Sequence, residues 1–177
     1  MRARSLRRWG LFGALAALLG ACDNPTTITR VHFVHQGLEA TIRNAGLAHV
    51  ESHGRPFAGV TADEIAARLK LPAAFPSGFR FTAREPAPRP ERDGLRLVLH
   101  FNPAGPPDGQ ADCRREAEAE TLPPSTEGFR VTASWCQGAR MFSTGFMEAP
   151  RTRADDPTGF ANAMLRLMIQ ITPKAGD

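Results

Sequence analysis

Gly128-Phe129-Arg130-Val131-Thr132-Ala133-Ser134-Trp135-Cys136-Gln137-Gly138-Ala139-Arg140-Met141-Phe142-Ser143-Thr144-Gly145-Phe146-Met147 reads as two strands around a glycine turn. A two-residue turn at Gln137-Gly138 pairs Trp135 with Arg140, Ala133 with Phe142, Val131 with Thr144 and Phe129 with Phe146. That register gathers Phe129, Val131, Ala133, Trp135, Phe142 and Phe146 on one face and turns Cys136 to the other. Trp135 faces Arg140 in this reading. Core packing is the expected role of Trp135; the other reading is a cation–π contact there, which makes the pair a candidate interface.

Outward from the hairpin, Leu95–Phe101 is the strongest strand, with Leu95, Leu97, Leu99 and Phe101 on one side. Phe79–Ala83 is a shorter one. Between them Pro86, Pro88 and Pro90 mark an extended loop. Thr61-Ala62-Asp63-Glu64 is a capping box that opens a helix with Ile65, Ala66 and Leu69 on its apolar stripe, stopped at Pro72. Asp156 caps a last helix with Pro157 at its first position, Phe160, Met164, Leu167, Met168 and Ile171 buried, and Pro173 at its end. Residues 31–53 fit both helix (Leu38, Ile42, Ala45) and strand (Val31–Phe33, Ala48-Val50-Ser52). Asp112–Glu120 fits a short exposed helix or a loop pinned by Cys113. The expected fold is α+β, a small antiparallel sheet of three to four strands with helices packed on one face. Gly78-Phe79-Arg80-Phe81-Thr82-Ala83 nearly repeats at Gly128–Ala133, so a duplicated helix–strand–strand unit is a further expectation.

Arg2, Arg4, Arg7 and Arg8 precede an apolar run from Leu11 to Leu19, which ends in Leu19-Gly20-Ala21-Cys22. The run is short of the roughly 20 residues that span a bilayer and has the layout of an export signal. Leu19-Gly20-Ala21-Cys22 resembles the lipobox of bacterial lipoproteins. The resemblance implies removal of residues 1–21, acylation of Cys22 and a chain held on the membrane by its lipid. The implied organisation is a signal peptide at 1–21, a lipidated tether at 22–30 and one α+β domain at 31–177 facing the periplasm. Asp23 after the lipidated cysteine favours the inner over the outer membrane, by the sorting rule of enterobacterial lipoproteins.

Losing the signal changes the electrostatics. The chain has 22 basic and 18 acidic side chains, and the four signal arginines depart without any acidic residue. The mature domain is therefore close to neutral, and the charge gives no support to nucleic-acid binding.

With Cys22 lipidated, Cys113 and Cys136 remain. Two cysteines in an oxidising compartment are expected to form a disulfide, closing a loop of about 24 residues that is worth ~3 kcal/mol. The alternative, a redox-active pair, lacks the C-x-x-C spacing.

His32, His35, His49 and His53, as a His-x-x-His and a His-x-x-x-His pair, are the candidates for a metal-binding or enzymatic centre; His100 stands apart. Neither pair brings a cysteine, so no metal ligand set or cofactor is assigned. The chain has no Gly-x-Ser-x-Gly elbow and no phosphate-binding glycine loop. The acidic pairs Glu118/Glu120 and Asp155/Asp156 read as a solvated stretch and a helix cap. The function expected is a membrane-anchored, non-enzymatic binding or accessory module with an envelope protein as partner; the alternative uses the histidines around residues 32–53.

Overall fold

The hairpin lies inside a sheet wider than its own pattern announces. A computed structural model describes residues 26–34, 36–84, 94–106, 108–115 and 120–172. Along the chain come β1 (Thr27–Phe33), α1 (Leu38–Ala45), β2 (Leu47–His53), α2 (Ala62–Arg68) and β3 (Arg80–Thr82). Then follow β4 (Leu95–Phe101), α3 (Gly109–Arg114), β5 (Glu127–Gln137), β6 (Arg140–Arg153) and α4 (Pro157–Ile171). The strands form one six-stranded sheet in the order β1-β6-β5-β4-β2-β3. β1, β6, β5 and β4 pair antiparallel, whereas β2 runs parallel to both β3 and β4.

The small antiparallel sheet of three to four strands is thus corrected to a larger mixed one. Parallel pairing needs a long crossover, and residues 54–79, with α2, supply one between β2 and β3. Phe79–Ala83 and Ala48-Val50-Ser52 were legible as strand segments and become β3 and β2; their parallel pairing was not, because period-two alternation carries no information about which strand lies beside which. The tether is corrected too. Residues 27–30 belong to β1, where Thr27 and Thr29 stand opposite Glu148 and Phe146 in the middle of the 14-residue β6.

The hairpin register also differs. Gln137 pairs Arg140 around Gly138-Ala139, with Gly138 at φ 58°, and a bulge places Trp135 opposite Ser143. Phe142 is the extra residue and stays in the core. Phe146, opposite Thr132, turns to the other face, and Met147 takes the core position opposite Val131. A one-residue change of turn and one bulge suffice, because strand side chains alternate with period two.

α1, α2 and α4 cover the first face. Their buried Leu38, Ile42, Ile65, Phe160, Met164, Leu167 and Ile171 join Leu97, Leu99, Phe101, Val131 and Trp135 in one core. α4 rests directly on β6. A Cβ on Gly145 would stand 2.6 Å from Ile171 Cγ2, so only glycine permits that approach. Asp156 accepts from the Gly159 amide and Pro157 opens the helix; Thr61 and Glu64 close their capping box on α2. α2 ends at Arg68, three residues before Leu71, with Leu69 extended at the C-cap and its amide bonded to the Ala66 carbonyl. Pro86, Pro88, Pro90 and Pro173 lie outside the described residues.

α3 covers the middle of the opposite face, so helices are not confined to one side. Cys113 on α3 is bonded to Cys136 on β5 with Cα atoms 5.4 Å apart, and the two pack with Val98 and Met141. Of the charged segment, Asp112–Arg114 belong to this pinned helix. The proposed duplication fails. β3 is an edge strand parallel to β2 and not paired with β4, whereas β5 is central and antiparallel to its successor β6.

Candidate functional site

Because β2 and β4 run parallel, with His49 opposite Arg96 and His53 opposite His100, their polar side chains share the second face. α3 closes over them. Asp108 caps α3 through the Gln110 and Ala111 amides, and Gly109 fits where a Cβ would meet Ser134 Oγ and Thr144 Oγ1. The helix thus crosses from β6 and β5 toward β4, and Arg115, in left-handed geometry at its C-cap, reaches β2.

Glu51 is the hub beneath it. Its carboxylate accepts from Arg96 Nη1, from Arg115 Nη2 at 2.9 Å, and faces His53 Nε2 at 3.3 Å. Arg96 also donates to the carbonyls of Cys113 (2.9 Å) and Gly138 (2.8 Å), tying β2, α3 and the hairpin turn together. Burial would raise the Glu51 carboxyl, but hydrogen bonds from His53, Arg115 and Arg96, with the Arg96 charge, outweigh it and bring it to about 2. His53 is held above its ordinary value by the hydrogen bond to Glu51, against burial, with help from the charges of Glu51 and Asp112. Alongside, His100 Nδ1 lies 3.6 Å from Asp112 Oδ1 and its ring 6.1 Å from that of His53. Among the described residues, buried Asp112 Oδ2 and Thr132 Oγ1 have no hydrogen-bond partner, and Thr132 stands opposite His100.

The histidines do not all converge. His32 lies exposed on β1, four strand spacings, or about 19 Å, from His49 and His53 on β2. His49 Nε2 faces the Ala83 carbonyl at 3.2 Å, and His35 lies outside the described residues. Among the described residues no group of three His, Cys, Asp or Glu side chains is placed to hold a metal. Trp135 and Arg140 do not meet. Trp135 is fully buried and donates to Thr172 Oγ1 at 3.2 Å, while Arg140 sits over the Phe142 ring at 5.1 Å. Cys22 and Asp23, with the whole export signal, lie outside the described residues. No helix among the described residues is long and apolar enough to cross a membrane.

Sequence reasoning missed Glu51, Arg96, Asp112 and Arg115. The available signal was the polar alternation of β4: Arg96 and His100 interleave with four core residues, so a second covering layer would bury both.

A second feature lies where α3 does not reach. The register sets Thr27, Glu148 and Arg130 in a row across β1, β6 and β5, and the Asn102 amide continues it by bonding the Arg130 carbonyl. Two adjoining depressions, of about 300 and 430 Å³, share Arg130 and Glu148. Prolines wall them, Pro103 and Pro106 on one side and Pro123 with Pro150 of β6 on the other. Among the described residues neither the Arg130 nor the Glu148 head group is in an ion pair.

No protein-family model, no curated protein and no solved structure matches this chain.

Proposed function

We propose that the protein is a lipid-anchored component of the bacterial cell envelope, periplasm-facing, that works as a non-enzymatic binding or accessory module. One observation carries this reading: the groove across Arg130 and Glu148 is open and holds two charges that form no ion pair among the described residues, whereas the Glu51 carboxylate is already engaged by His53, Arg96 and Arg115. An open, mixed-charge groove suits recognition. A carboxylate held by two guanidinium groups is a poor proton acceptor. Asp23 favours the inner membrane as the site of anchoring.

Crosslinking in intact cells followed by affinity capture tests the reading, with Cys22→Ser as the comparison. A reproducible envelope partner, lost in Cys22→Ser and weakened by Arg130→Glu, is expected. Capture unaffected by both changes would overturn it.

The rival, an enzymatic or metal-binding role for the histidines, draws on His53, a part-exposed imidazole that the hydrogen bond to the Glu51 carboxylate holds above its ordinary value. Stoichiometric zinc or copper retained by the protein and lost in His53→Ala would favour it.

A further inference from the structure

We infer that the groove across Arg130 and Glu148 is the surface turned to the membrane and that it seats a zwitterionic phospholipid headgroup, the phosphate at Arg130 and the amine at Glu148. The inference rests on the anchoring of Cys22 proposed above.

Chain length supplies the first argument. Five residue steps separate Cys22 from Thr27, a reach of at most about 18 Å, and Thr27 itself lines the groove. Strand β1 enters the fold at Thr27, beside Glu148, so this end of the sheet is the one a short anchor holds nearest the lipid.

Charge supplies the second. Glu148 and Arg130 stand directly opposite on neighbouring strands, their Cβ atoms about 5 Å apart. A phosphate and an ammonium two carbons apart match that spacing, and a guanidinium is the side chain best suited to phosphate. Glu148 repels a headgroup of purely negative charge, and the near-neutral mature domain has no net attraction to an anionic surface.

The rim supplies the third. Pro123 and Pro150 carry no backbone N–H that needs water, and Leu122 is 44% exposed at the same mouth. Apolar edges around a charged floor fit the boundary between headgroup and acyl chain.

Protein purified from cell membranes is reconstituted in phosphatidylethanolamine/phosphatidylglycerol vesicles doped with a headgroup-spin-labelled lipid, and backbone amides are read by NMR. Broadening is expected at 127–130 and 146–149 and absent at 51–53. It should fall about tenfold in Arg130→Glu, in step with loss of one charge-assisted contact, recover in Arg130→Glu/Glu148→Arg, and weaken in phosphatidylglycerol alone. Equal broadening in phosphatidylglycerol alone, or no response to Arg130→Glu, would overturn the inference; so would broadening centred elsewhere. The mass of the Cys22 peptide reads the anchor separately. Acylation without groove broadening sinks the groove and leaves the anchor; groove broadening without acylation does the reverse.

Discussion

On one side of β4, Leu95, Leu97, Leu99 and Phe101 pack into the core beneath α1, α2 and α4; on the other, Arg96, Val98 and His100 meet α3. Both sides are buried, yet different forces bury them. The first face is apolar and non-directional, so Phe142 keeps its place in the core through a bulge that moves Phe146 away. The second face depends on placement: Arg96 must reach Glu51 and two carbonyls at once, and a six-residue helix with few apolar contacts is held by a disulfide. Burial of apolar area tolerates small errors of register; a buried ion network does not.

The largest effect tests the apolar side. Trp135→Ala should cost about 3–5 kcal/mol, the range for deleting a large core aromatic, read from urea unfolding. A loss below about 1 kcal/mol would mean that Trp135 is not the core residue its full burial indicates.

Next comes the cross-link. Replacing Cys113 and Cys136 together by alanine should cost about 3 kcal/mol. Amide exchange should accelerate at 109–114 well before it does at 157–171. Equal acceleration of α3 and α4 would erase the distinction between the two faces.

The ion network should respond to pH. The Glu51 contribution is present above pH 4.5 and is lost as pH falls toward about 2, because its folded value is depressed. His53 has the opposite sign: its contribution is full below pH 6.5 and disappears as pH rises through its raised folded value. Glu51→Gln should cost on the order of 1–3 kcal/mol at neutral pH, flatten the acid limb and bring the His53 NMR titration back down. An unchanged His53 titration in that variant would break the assignment.

The smallest effect belongs to the groove. Arg130→Ala and Glu148→Ala should each change stability by less than about 0.5 kcal/mol, while altering membrane or partner binding. A large loss of stability in either would move these residues from recognition to structure.

Much of the fold was legible locally. Thr61 and Glu64 announced α2, Asp156 and Pro157 announced α4, and the alternation of Leu95–Phe101 announced β4, because caps and periodicity are short-range. Cysteine arithmetic paired Cys113 with Cys136. The Trp135–Arg140 contact, the duplication and the sheet size were misread, since each depends on which strand lies beside which.

The sequence by itself determined the elements with strong local signals and the cysteine pair. Tertiary structure alone decided the mixed sheet, the second face and the meeting of Glu51, Arg96, Asp112 and Arg115. Those residues lie as far as 64 positions apart, and parallel pairing of β2 with β4 is what sets them on one surface. No local pattern encodes such a neighbourhood, because charged side chains on an exposed strand and on one later covered by a helix look the same until the cover is in place.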